Sequence, residues 1–238
     1  MADNYPMCSI ILRIDDTGIF IAANRDEMVD RPWAPPAAHW PKQPRIIAGL
    51  DKTAGGTWMG LNEHGVMAAV LNRHGSLGPA PGKRSRGELP LLALKQPHAE
   101  AAAASIGAVD AGLYRSFNVV IADSEQAFCI AGLEAGRPVV SELGPGTWMI
   151  TSGAPNEMKL PRIARHLPKF EATDWKKWGS LLADNTPPLA SALNIPVQHG
   201  FGTVCASLLA LPKNGAPSWD FAAGPPHEAA FLPVALAK

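Results

Sequence analysis

Two apolar runs rich in β-forming residues, Cys8–Ile14 (CSIILRI) and Ile19–Asn24 (IFIAAN), flank the turn Asp15-Asp16-Thr17-Gly18. Strand-forming runs around a tight turn containing Gly specify a β-hairpin. A hairpin reverses the chain, so the start of its first strand lies beside the end of its second. Cys8 is therefore expected next to the segment Asn24-Arg25-Asp26-Glu27, which closes the second run.

A second hairpin of similar build is expected from Gly55–Leu61 (GGTWMGL), the turn Asn62-Glu63-His64-Gly65 and Val66–Asn72 (VMAAVLN). Between the hairpins, the stretch from Arg31 to Pro44 carries too many prolines for regular structure. Gly75–Gly87 reads as loop. Helices are predicted at Glu88–Gln96 and at the alanine-rich Ala99–Val109. Short strands follow at Asn118–Asp123, Ala127–Leu133, Pro138–Leu143 and Thr147–Thr151. Lys159–Leu167, with Pro161 in its first turn, and Trp175–Ala183 read as helices, and Thr203–Leu211 and Ser218–Phe221 return to strand. No repeat or linker divides residues 1–238, so a single layered α+β domain is expected and a doubly wound parallel sheet is not.

Composition removes several functions. With 238 residues, 47% of them hydrophobic, the chain can bury a substantial core and does not resemble a disordered segment. Twenty-one basic residues balance twenty-one acidic ones, which argues against nucleic acid as the main partner. The longest apolar runs fall far short of the ~20 residues that a membrane span needs. The three cysteines, Cys8, Cys129 and Cys205, form no CxxC pair, so zinc ribbons and thioredoxin-type redox sites are not expected. The N-terminal MADNYPMC has no signal-peptide pattern, and a cytoplasmic protein with free thiols and a short flexible leader at residues 1–7 is expected.

There is no GxGxxG, HExxH or GxSxG. Gly82-Lys83-Arg84-Ser85 lacks the first glycine and the magnesium-binding hydroxyl of a phosphate loop. The seven histidines form no helical pair at i, i+4, and no metal site is expected. The irregular prolines form no PxxP series that would mark a scaffold. The first hairpin remains. A thiol beside Arg25 is more easily ionised, and thiolate is the reactive form, while Asp26 could orient an amine or the arginine. The alternative is that Cys8 is a buried strand residue and Asn24–Glu27 a solvated charged turn.

These residues resemble a known family. Met7-Cys8, Asn24-Arg25-Asp26-Glu27 with Arg31-Pro32, Gly55-Gly56-Thr57-Trp58-Met59-Gly60 and Asn72-Arg73 match the NRDE family, also called the Transport and Golgi organisation 2 family. Phe201-Gly202-Thr203 followed by Cys205-Ala206-Ser207 resembles that family's late GT-x-x-x-S strand. The resemblance implies the four-layer αββα sandwich of N-terminal nucleophile hydrolases, cysteine branch, and hydrolysis of linear amide C–N bonds. In that branch an N-terminal Cys attacks an amide carbonyl and its own α-amine is the general base.

Carried over by position, Cys8 is the nucleophile, Arg25 and Asp26 orient it, and Asn72 donates to the oxyanion. Asn24, Trp58 and Arg73 are candidates for substrate binding. The resemblance also implies an alternative: a non-catalytic carrier of haem or another apolar, partly anionic metabolite, with haem as cargo and no resident cofactor. Trp33, Trp40 and Trp58 with Arg25 and Arg73 would line its cleft, although base rates favour plain core or loop packing for the tryptophans. Three departures from the family pattern stand out. Seven residues precede Cys8, Thr151-Ser152-Gly153 replaces Ser-Asn, and Val204 stands where the GTR strand has arginine.

Overall fold

The computed structural model describes residues 8–236, so the expected leader at residues 1–7 lies outside the described residues. Strands β1 (Ser9–Asp15) and β2 (Gly18–Met28) form the expected hairpin, with Ser9 opposite Asn24. Its turn is closed by Asp15, whose Oδ1 accepts from the Thr17 amide (2.8 Å) and hydroxyl (2.6 Å). Gly18 adopts φ 146°, and a Cβ there would stand 2.4 Å from the Leu211 carbonyl oxygen, so no larger residue fits.

The proline-rich stretch departs from expectation. Strands β3 (Trp33–Ala37) and β4 (Ile47–Asp51) pair antiparallel, with an irregularity between Ala34 and Ala37. Pro35 and Pro36 are tolerated because β3 is an edge strand and needs hydrogen bonds on one side only. Strands β5 (Met59–Leu61) and β6 (Met67–Asn72) form the second hairpin. Asn62 organises its turn: Oδ1 accepts from the amides of His64 and Val66, and Nδ2 donates to the carbonyls of Leu94 and Gln96.

Helices α1 (Glu88–Ala93) and α2 (Ala99–Gly107) follow, then strands β7 (Phe117–Ala122), β8 (Ala127–Gly132), β9 (Val139–Leu143) and β10 (Gly146–Ile150). Helix α3 (Pro161–Ala172) begins on Pro161 and runs five residues beyond the expected end, carrying Pro168 inside it. The second expected helix there divides into a 3₁₀ turn, Trp175–Lys177, and α4 (Trp178–Leu182). Strands β11 (Phe201–Pro212), β12 (Ser218–Ala222) and β13 (Phe231–Pro233) complete the described chain, the last without forewarning in the sequence.

The chain divides into two compact units. One, residues up to 31 with 145–234, is a six-stranded antiparallel sheet ordered β10-β1-β2-β11-β12-β13. Its apolar face, including Ile11, Ala22 and Ala206, packs against Ile163, Leu167 and Phe170 of α3. The guanidinium of Arg13 leaves β1 to cap the far end of that helix, donating to the carbonyls of Phe170 (2.6 Å), Glu171 (3.0 Å) and Thr173 (3.2 Å). The second unit, mainly residues 32–144, is a seven-stranded sheet in the order β3-β4-β5-β6-β7-β8-β9. Phe117, Val119 and Ile121 of β7 pack there against buried alanines of α2, small side chains that let the helix approach closely. Among the described residues no helix is long and apolar enough to cross a membrane.

Candidate active site

The Asn24–Glu27 segment is part of a strand. β2 continues to Met28 because β11 pairs with it along its length, from Gly18–Pro212 to Met28–Phe201. Asn24, Arg25 and Asp26 are buried, with 2%, 6% and 5% of their surface exposed, which removes the solvated-turn alternative.

Alternation along β2 divides the segment between two faces. Asn24 and Asp26 share parity with Ala22 and lie on the helix-covered face of the sheet. Arg25 lies on the other face, in register with Cys205 of β11. Cys8 immediately precedes β1, and its sulfur rests on the main chain of Asp26. Sγ accepts from the Asp26 N–H at 3.3 Å and donates to the Asp26 carbonyl at 3.5 Å. Withdrawal from water, reinforced by the Asp26 carboxylate, pushes the Cys8 thiol up to about 12, while the Asp26 amide and the Arg25 charge pull it back.

The Asp26 carboxylate is held from two elements, α3 and β11. Oδ2 receives Nη1 of Arg162 from α3 at 3.1 Å, and the same nitrogen donates to the Ser9 hydroxyl at 2.9 Å. Oδ1 accepts the Thr203 hydroxyl of β11 at 2.6 Å, and that hydroxyl accepts the Ile195 amide at 2.7 Å. Arg162 is itself buried, with its side chain 4% exposed. Burial raises the Asp26 carboxyl from its ordinary range, and Arg162 and Thr203 oppose that rise. Further along β2, Arg25 pairs with Glu27 at 3.5 Å and Glu27 with Arg31 at 3.6 Å.

The structure thus brings together Cys8, Arg25 and Asp26 of the expected set. Asn24 lies nearby, but both of its amide hydrogens go to main-chain carbonyls, those of Leu182 and Leu193, each at 3.0 Å. Its observed work is to tie β2 to the chain around α4. Asn72, Trp58 and Arg73 belong to the second unit. Asn72 ends β6 opposite Phe117, and Arg73 donates to Asn118 Oδ1 at 2.7 Å. Trp58 lies over Gly49 and meets Trp33 edge-on, with ring centroids 5.8 Å apart.

Sequence reasoning missed Arg162, and it did not single out Thr203 or Ser9 as parts of the site. One signal for Arg162 existed. The buried positions of α3 are Arg162, Ile163, His166, Leu167 and Phe170, so an arginine stands on the buried, largely apolar face of the helix.

Known proteins share the fold that carries these residues. A Caenorhabditis elegans N-acylethanolamine-hydrolyzing acid amidase ortholog superposes with a TM-score of 0.62 at 13% identity, covering 85% of this chain and 92% of its own. Penicillin V acylase from Agrobacterium tumefaciens gives 0.56 at 12% identity, over 91% of this chain and 82% of its own. A conjugated bile acid hydrolase from Clostridium perfringens gives 0.52 at 9% identity, over 98% and 97%. These likenesses show the fold: the α+β fold of N-terminal nucleophile hydrolases.

Within that class the chain belongs to the Transport and Golgi organisation 2 family, which it matches over residues 7–182. The mouse Transport and Golgi organization 2 homolog is 31% identical over 162 residues, 61% of this chain and 57% of the mouse protein. The human homolog has the same identity over the same extent. The chain therefore spans little more than half the length of these relatives.

Proposed function

We propose that this protein is a cysteine N-terminal nucleophile hydrolase of linear amide bonds, with Cys8 as nucleophile. The observation that carries the reading is the seating of Cys8 Sγ on the Asp26 peptide, beside the buried Asp26–Arg162 pair. With the thiol pushed up to about 12, attack at neutral pH needs a base. Release of Cys8 as residue one supplies it, because an α-amine titrates near ~7.7–8.0 and is partly neutral there.

The neutral amine takes the Sγ proton, and the thiolate, favoured by the Arg25 charge, attacks the amide carbonyl carbon. Collapse of the tetrahedral intermediate breaks the C–N bond, and the leaving amine takes the proton from the α-ammonium. Water then attacks the thioester, giving a proton to the α-amine. The C–S bond breaks, and the departing sulfur recovers that proton as the acid is released.

The test compares two forms of the protein, one beginning at Cys8 and one retaining Met7, on a panel of N-acyl amides with release of free amine as readout. Turnover only by the Cys8-first form, abolished in Cys8→Ala, is expected. Turnover unaffected by Cys8→Ala would exclude the reading.

A further inference from the structure

β11, which pairs with β2 beside the candidate site, supplies Thr203 to the Asp26 carboxylate but no cation at the next position, Val204. The β2–β11 register shifts between Thr203 and Cys205, and Val204 is an apolar, buried residue at the irregularity. A cation is nevertheless present, and it arrives from a different element. Arg162 stands at the second position of α3, directly after Pro161, which suits the first turn of a helix because it has no N–H to satisfy. From there it reaches both strands of the first hairpin, at Ser9 on β1 and Asp26 on β2.

We propose that Arg162 is the positioning residue of the Cys8 site: its guanidinium bridges Ser9 and Asp26, favours the charged form of the Asp26 carboxylate and fixes it on the helix-covered face of β2. The consequence for the sulfur is indirect. With its carboxylate anchored at both oxygens, by Arg162 and Thr203, the Asp26 residue presents a fixed N–H to Cys8 Sγ. A buried ion pair is a costly device compared with apolar packing of the same volume, so its presence at this site points to a demand for charge and orientation. The inference rests on the amidohydrolase reading only for what the site is used for, since the ion pair and the thiol contact stand without it.

The charged and titratable groups acting on this carboxylate and thiol are Arg25 and Glu27 of β2, Cys205 of β11 and Arg162 of α3. Of these, Arg162 alone hydrogen-bonds the carboxylate among the described contacts. Its removal leaves a desolvated carboxylate with the Thr203 hydroxyl and no counter-ion in hydrogen-bond contact, and such a group takes up a proton at higher pH.

The experiment follows the Asp26 side-chain carboxyl by ¹³C NMR titration of the full chain, with the signal assigned by its loss in Asp26→Asn. Alkylation of Cys8 by iodoacetamide is measured in parallel. In Arg162→Gln the carboxyl midpoint should move up by at least one pH unit, a tenfold change in proton affinity. The alkylation rate should change severalfold, and Arg162→Lys should restore both toward wild type. An unmoved midpoint in folded Arg162→Gln overturns the proposal, because a purely structural arginine would alter stability without altering that titration. If Arg162→Gln does not fold, Arg162→Gln is combined with Asp26→Asn. Recovery of folding locates the damage in the unpaired carboxylate and supports the proposal, and continued failure overturns it. A shifted midpoint in a protein that hydrolyses no amide, even with Cys8 first, retains this inference and removes the amidohydrolase reading.

Discussion

Thr203 Oγ1 stands 2.6 Å from Asp26 Oδ1 while accepting the Ile195 amide at 2.7 Å, so one hydroxyl joins a buried carboxylate of β2 to the chain that leads into β11. Thr203→Val preserves shape but strands both partners. The expected cost is ~1–3 kcal/mol in urea unfolding, the penalty for a buried polar group left without its bond. Thr203→Ser should recover most of it.

Arg13 predicts a second effect. Its guanidinium serves three carbonyls at the end of α3 and lies 5.2 Å from the centre of the Trp178 ring. Arg13→Ala should destabilise by ~2 kcal/mol or more, since hydrogen bonds from charged donors and the packing of the stem are lost together. Arg13→Lys should recover only part, because an ammonium cannot reproduce the planar fork. Chemical denaturation of the three proteins checks the order.

His166 gives a pH dependence with a definite sign. It is fully buried, and its Nε2 lies 2.7 Å from the Ser191 carbonyl, an acceptor, so the neutral ring carries its proton there. Burial foremost, with Lys169 and Arg165 adding to it, lowers the ring to about 4 despite the Ser191 carbonyl and Asp184. Unfolded histidine titrates near ~6.5. Between those values the unfolded chain binds a proton that the folded chain refuses. Stability is therefore full above ~6.5 and declines as pH falls toward 4, by up to ~3 kcal/mol. In His166→Gln that part of the stability curve should be flatter, as measured by denaturant titrations at successive pH values.

The thiols predict a chemical result. Cys8, Cys129 and Cys205 are each pushed up to about 12, foremost by withdrawal from water. In the chain that retains Met7, iodoacetamide should therefore modify none of them rapidly at pH 7.5, and the rate at Cys8 should still be rising at pH 10. Peptide mass mapping of alkylated protein reads all three at once.

Gly49 and Trp58 give a spectroscopic one. A Cβ on Gly49 would stand 2.2 Å from Cζ2 of Trp58, so Gly49→Ala must displace the indole. A change in tryptophan fluorescence and a loss of ~1–3 kcal/mol are expected.

Much of this could be read from local pattern. The turn at Asp15–Gly18 fixed the first hairpin and with it the meeting of Cys8 and Asp26, because turn geometry sets strand register. The strand at Pro35 and Pro36 was not legible, since edge position is a property of the whole sheet and local proline content argues the other way. The extension of β2 through Asp26 escaped for a related reason. Charged residues read as exposed until β11 and Arg162, both distant in sequence, supply their partners. Arg162 lies 136 residues from Asp26, and no spacing rule spans that interval.

Helix α3 is clasped at both extremities, by Asp26 and Ser9 at its beginning and by Arg13 at its close. Neither end can fray without breaking a charged contact to the first hairpin. Amide protection along α3 should accordingly rise and fall with that of β1 and β2 as one cooperative block, so a transient opening that loosens the helix also dismantles the seat of the Cys8 sulfur.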